Sequence, residues 1–239
     1  MKLFSYETSV LEAGGSASFD SRKSVAKSFS SRKHFSLVEY KPACIELNRI
    51  VPSSVNPAFQ SNTEHLIRNQ FWQMHHARLT SFLPELFALT DRFHQPSAAV
   101  GIKHVGAEDI FLEQYLDLPI DDLVSNLAGK RVARDHITEV GNLAASSAGG
   151  GRKLIAFLVC YFAEIGVEWA VCTGTSAVRA LLHRSGIAYS QIASADPDRL
   201  GDSKHQWGTY YKHNPCVLAV NIADALLQVS KKFRYQGLV

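Results

Sequence analysis

The chain has 239 residues, a formal net charge of +3, 46% hydrophobic and 20% charged residues. That apolar content excludes a wholly disordered protein, and 15 glycines and 8 prolines without a G-X-Y period exclude a collagen-like or linker-dominated one. The small positive charge does not point to nucleic acid, and no nucleic-acid partner is expected.

Ser16 to Lys33 is dominated by Ser, Lys and Arg, with Ser-Arg-Lys at 21–23 and again at 31–33. Residues 1–33 read as a flexible basic tail and residues 34–239 as a single domain. Phe35 to Tyr40 has the composition of a first strand. Ser61 to Thr63 followed by Glu64 predicts the cap of a long helix carrying Leu66, Phe71, Met74 and Leu79. Leu83–Thr90 and Ala98–His104 predict two strands joined by a hairpin loop, and residues 108–128 predict a helix. Asp135–Leu143 begins as a strand, and Ala144–Gly151 is a loop of small residues. Arg152–Ile165 is a helix closed by Gly166, and Val167–Cys172 is a buried strand. A short helix follows, capped at Thr175 or Ser176 and closed by Gly186. After a turn-rich stretch, Cys216–Ile222 forms a last strand, with a short helix behind it. Strand, glycine loop, helix and strand make a parallel unit with a right-handed crossover. With the earlier antiparallel hairpin, this predicts an α/β fold: a mixed, twisted sheet with helices on both faces.

The longest apolar run, Leu154 to Ala163, falls short of the roughly 20 residues that span a bilayer. No secretory signal is visible, so stable membrane insertion is not expected and a cytoplasmic location is. The four cysteines are scattered without a C-x-x-C pair, which fits buried thiols in a reducing compartment. No metal site is signalled: His75 and His76 are adjacent and face different ways on a helix.

Ser146-Ser147-Ala148-Gly149-Gly150-Gly151-Arg152 stands between a strand and a helix start. Glycines there let backbone N–H groups approach an anion, and the helix terminus and Arg152 add positive charge. Phosphate or pyrophosphate is the ligand this chemistry suits, although a tight turn without a ligand has the same composition. The loop is neither G-x-x-x-x-G-K-[ST] nor G-x-G-x-x-G.

The spacing Ser146-x-x-Gly149-x-Gly151 resembles the Q/R-x-x-G-x-G/A loop of the Gcn5-related N-acyltransferases, with Ser146 in place of Gln or Arg. Several further phrases resemble the thermostable hemolysin family: Ser81-Phe-Leu-Pro84, Phe111-Leu-Glu-Gln-Tyr-Leu-Asp117, Glu139-Val-Gly-Asn-Leu-Ala144, Ala195-Asp-Pro-x-Arg-Leu200 and Trp207-Gly-Thr-Tyr-Tyr211. A more distant similarity is to the acyl-homoserine-lactone synthases. Those have a Glu on the equivalent strand and an Arg two or three residues later, where this chain has Asn142.

These resemblances imply a Gcn5-related fold and an acyltransferase. It would move an acyl group from a phosphopantetheine thioester (acyl-coenzyme A or acyl-carrier protein) to an amine of a small molecule such as an amino acid. Coenzyme A or phosphopantetheine enters as co-substrate, with no tightly bound cofactor. Ser147, Gly149, Gly150, Gly151 and Arg152 would hold its phosphates, and Gly150→Val is expected to abolish donor binding while leaving the fold largely intact. Glu139, in an apolar strand context just before the loop, is the candidate general base. Asn142 would bind a substrate carbonyl or occupy a bulge, and Tyr211 would be the general acid. Trp72, Glu113 and Trp207 are candidate substrate-binding residues. Each of these side chains also has a purely structural reading, in packing or in an ion pair. An acyl-carrier protein and a second copy of the chain are the candidate protein partners. The alternatives are a membrane-lytic hemolysin, as the family name suggests, and a carrier- or pantetheine-binding module without turnover.

Overall fold

The computed structural model describes residues 49–235. The basic tail and the strand expected at 35–40 lie outside the described residues.

Among the described residues there is a seven-stranded sheet, in the order β1-β2-β3-β4-β5-β7-β6. The strands are β1 (Ile50–Pro52), β2 (Glu85–Thr90), β3 (Pro96–His104), β4 (Ile137–Ala145), β5 (Trp169–Gly174), β6 (Ser190–Ser194) and β7 (Cys216–Asn221). Only β4 and β5 pair in parallel, joined over α3 (Gly150–Ile165), and every other pair is antiparallel. The remaining helices are α1 (Pro57–His75), α2 (Ile120–Ala128), α4 (Ser176–Ser185) and α5 (Ile222–Tyr235).

Alternation along the strands assigns the two faces. Phe87, Leu89, Ala98, Val100 and Ile102 pack with Leu154, Phe157 and Phe162 of α3. The intervening Leu86 and Ala99 pack against Ile67 of α1. Farther along, Ile137, Trp169, Val171, Val217 and Ala219 share a cluster with Leu112, Tyr115, Ile120 and Leu200. Their neighbours Leu218 and Val220 pack with Leu182 of α4 and Val229 of α5. One face is thus covered by α1, the 105–128 segment and the 197–213 segment, and the other by α3, α4 and α5. This is the mixed sheet with helices on both faces that the sequence predicts.

Two local expectations are corrected, and one element is added. The first helix starts earlier, at Pro57, because the Asn56 side chain accepts the Phe59 N–H at 2.8 Å and Pro57 supplies a ready-made first turn. Thr63 instead lies inside the helix, donating to the Phe59 carbonyl. The single helix expected over 108–128 is broken into a 3-10 turn, Phe111–Tyr115, and α2, because Pro119 bars helical backbone just before it. Strand β6, short and half polar at the sheet edge, was not anticipated.

Candidate active site

Strands β4 and β5 pair only from Ile137↔Trp169 to Val140↔Cys172, then both run on without partnering each other. A bulge in β4 explains the parting. The β3–β4 register slips between Ala99 and Gly101, and Asn142 takes a left-handed φ of 52°. The slip reverses the alternation: Val140, Leu143 and Ala145 pack on the α3 side while Ala144 turns toward α1. Beyond Val140, backbone groups that would otherwise bond β5 face the gap.

A cavity of about 830 Å³ occupies this gap. Phe71, His75, Phe111, Tyr115, Glu139, Trp207 and Tyr210 form its wall on the α1 face. Ile155, Leu158, Val159, Phe162, Leu182 and Val220 form it on the α3 face. The cavity therefore passes through the sheet, from a polar and aromatic end to an aliphatic one. A second cavity of about 540 Å³ is lined by Ser147, Gly149, Gly151, Arg152 and Arg184. The two share Leu143, Ala145, Ala177 and Val178, so they adjoin where β4 gives way to the glycine loop.

Glu139 is 4% exposed, projecting from β4 under the Phe111–Tyr115 turn. Its carboxylate accepts the backbone N–H of Leu112 at 3.1 Å and of Phe111 at 3.2 Å. Burial pushes the carboxyl up to about 7, against the pull of those N–H groups and of Lys103 across the strand pair. A carboxyl at that level exchanges protons near neutral pH.

Asn142 sits in the bulge and lines the large cavity, and its Oδ1 accepts the Leu83 N–H at 2.8 Å. The bond ties the segment before β2 to the bulge. Tyr211 lies one layer back: its hydroxyl is 2.6 Å from that of Tyr115, which does line the cavity. The adjacent Tyr210 faces the cavity and donates to the Thr173 carbonyl at 3.1 Å. Burial raises both Tyr210 and Tyr211 above the ordinary phenol range. Trp207 lines the cavity beside Phe111.

Two of the candidate substrate-binding residues do not line either cavity. Trp72 is 47% exposed and Arg78 lies over its ring; Phe71, Met74 and His75 of the same helix line the cavity in its place. Trp72 falls one residue off the stripe that faces the site. Glu113 does not reach either cavity. Its oxygens accept from Arg134 at 2.8 and 3.0 Å, from the Ile110 N–H and from the Ile120 N–H, so it locks the 3-10 turn to α2 and to β4's approach.

The glycine loop begins the helix without a side-chain cap: Gly149 caps α3 in a left-handed conformation, φ 82°. The Gly150 N–H turns back to the Ser147 carbonyl at 3.3 Å, and no side chain caps the N–H groups that follow it in the first turn of α3. Gly150 is turned inward, and a Cβ there would lie 2.9 Å from the Ala98 Cβ. Its role is close packing against the sheet, so the expectation that Gly150→Val spares the fold is also corrected.

Sequence reasoning missed His75, Thr173, Lys103 and Phe71 as wall residues. A wall assembled from a helix end and a strand tip carries no local motif. Cys172 lines the cavity too, with its thiol pushed up to about 12 by burial, which suits packing rather than nucleophilic attack. Among the described residues no helix is long and apolar enough to cross a membrane, and no His, Cys, Asp or Glu cluster is placed to hold a metal.

Two solved structures share this architecture. FeeM, an N-acyl amino acid synthase from uncultured soil microbes, superposes with a TM-score of 0.51 at 13% identity, covering 75% of this chain and 98% of its own. The AHL synthase LasI superposes with a TM-score of 0.50 at 12% identity, covering 75% and 92%. No curated protein matches the sequence. The fold is that of the Gcn5-related acyltransferases. The family model described as thermostable hemolysin matches residues 55–226, and the chain belongs to the thermostable hemolysin family.

Proposed function

We propose that this chain is an N-acyltransferase that moves a long acyl group from a phosphopantetheine thioester to the amine of a small molecule. The observation that carries this reading is the cavity running through the sheet at the β4–β5 parting, with the buried Glu139 carboxyl at one end and an aliphatic chamber at the other. The adjoining cavity at the α3 N-terminus, lined by Ser147, Gly149, Gly151 and Arg152, supports it.

The donor's phosphates bind at Ser147, Gly149, Gly151 and Arg152, and its pantetheine arm follows the residues the two cavities share. Gly150 contributes by letting α3 pack tightly under the loop. The acyl chain fills the aliphatic side, where burial of each methylene contributes about 0.8 kcal/mol. The thioester carbonyl then lies at the bulge, where unpaired backbone groups of β4 and the Asn142 region can hold its oxygen.

The amine nitrogen attacks the thioester carbon, the C–N bond forms and the C–S bond breaks. Glu139 takes the proton released by the amine, through water, and hands it to the leaving thiolate. A carboxyl near 7 is a stronger acid than a thiol, which ionises at about 8.5, so the second transfer runs downhill. Tyr210 and Tyr211, raised by burial, hold their protons too firmly for that task. In this reading Tyr211 positions Tyr115, and Trp207 shapes the acceptor pocket.

Either acyl-coenzyme A or an acyl-carrier protein fits the basic rim at Arg152 and Arg184, and a cytoplasmic enzyme would meet both donors. Incubating the purified chain with a series of acyl-coenzyme A donors and a mixture of amino acids tests the reading. N-acylated product, identified by mass and formed with one equivalent of thiol, supports it; donor binding without product supports a binding module instead.

A further inference from the structure

Three buried side-chain polar atoms lack a hydrogen-bond partner among the described residues: His75 Nδ1, Thr173 Oγ1 and Ser185 Oγ. Buried polar atoms are normally paired, so an orphan in a cavity wall marks where a ligand's polar group belongs. His75 and Thr173 both line the 830 Å³ cavity, whereas Ser185 lines neither cavity.

The two orphaned residues both contact one tyrosine, Tyr210. The His75 ring stands 5.2 Å edge-on from the Tyr210 ring, and the Tyr210 hydroxyl is bonded to the Thr173 carbonyl. His75 is held in place from behind, where its carbonyl accepts both the N–H and the hydroxyl of Thr209. Arg78 and Lys103 stand in the same wall against the single carboxyl of Glu139, so its balance of charge favours an anion.

We propose that His75 and Thr173 form the subsite that holds the carboxylate of the acceptor, which is therefore an amino acid rather than a simple amine. This rests on the acyltransferase reading of the same cavity. Each orphan can donate, Thr173 through its hydroxyl and His75 through the Nδ1–H form of its ring. A carboxylate accepts from both, and the adjacent amine is left to face Glu139 and the thioester. The binding pair thus selects for a negative group beside the nucleophile.

The test is calorimetric binding of N-dodecanoyl-phenylalanine and of N-dodecanoyl-phenethylamine, which lacks only the carboxylate, to the full chain. The wild type is expected to bind the acid about tenfold tighter or more. Thr173→Val and His75→Phe keep shape but remove the donors, and each should bring the two affinities together. Thr173→Ser, which keeps the hydroxyl, should retain the preference. Equal binding of the two by the wild type, binding of neither, or a preference that survives both substitutions would overturn the proposal. Rates with dodecanoyl-coenzyme A separate this from the parent reading. Phenethylamine acylated as fast as phenylalanine rejects the subsite and leaves acyl transfer standing. A carboxylate preference in binding without acylation of either amine rejects acyl transfer and leaves the subsite standing.

Discussion

Glu139 and Glu113 carry the same side chain, and their surroundings set them apart. Glu113 meets Arg134 and two backbone N–H groups, and the Arg134 guanidinium with those N–H groups outweighs burial and holds its carboxyl below the ordinary range. Glu139 meets two N–H groups, and burial wins. Replacing Glu139 with Gln should lower the maximal rate by about 10²–10⁴-fold while donor affinity changes little, as single-turnover kinetics and calorimetry would show. The wild-type rate should rise as pH passes about 7, and that limb should vanish in the variant. Stability gives an independent reading. The folded carboxyl sits above the ordinary value of 4.5, so the folded protein keeps a proton that the unfolded chain releases between about pH 4.5 and 7. Its contribution is present at low pH and is lost as pH rises through 7. Urea unfolding should show wild type losing roughly 2 kcal/mol relative to Glu139→Gln between pH 5 and pH 8. Glu139 was legible because a carboxylate interrupts an apolar strand. The role of Glu113 was not, because its partner Arg134 is 21 residues away.

At the scale of elements, the β4–loop–α3 unit stood out in the sequence, since Gly149–Gly151 punctuate an apolar strand and an apolar helix. What each glycine does depends on packing that no local pattern reveals. Gly150→Val should destabilise the fold by about 2 kcal/mol, measured by chemical denaturation, because the new side chain meets the Ala98 Cβ. Arg152→Ala, at the rim of the second cavity, should weaken coenzyme A binding about fivefold and leave stability unchanged. Arg134→Ala should cost about 2 kcal/mol of stability, since it leaves the Glu113 carboxylate only its two backbone N–H partners, with no change in acceptor KM. The break at Pro119 was available to sequence reading, and the apolar residues on both sides masked it. The bulge that turns Asn142 into the left-handed region depends on cross-strand register, which is a tertiary property.

At the scale of the whole molecule, the sheet is the wall of the reaction chamber as well as the core of the fold. Both faces are apolar, so the strands read as buried from either side, and the opening between β4 and β5 leaves no mark in the sequence. Ala170 of β5 lines the cavity where it meets the α3 face. Ala170→Phe should fill room that an acyl chain uses. With each lost methylene contact contributing about 0.8 kcal/mol, kcat/KM for dodecanoyl-coenzyme A should fall about tenfold while that for hexanoyl-coenzyme A holds. Equal losses for both donors would mean that the chain does not enter the aliphatic chamber.

The most direct test of acyl transfer across the sheet is one mass-spectrometric measurement. Purified protein is mixed with dodecanoyl-coenzyme A and a mixture of amino acids, and the N-dodecanoyl product and free coenzyme A are quantified together. Wild type should form both in a one-to-one ratio, and Glu139→Gln should form neither above about one hundredth of that rate. Free coenzyme A without N-acyl product, or an undiminished rate in Glu139→Gln, would contradict the account.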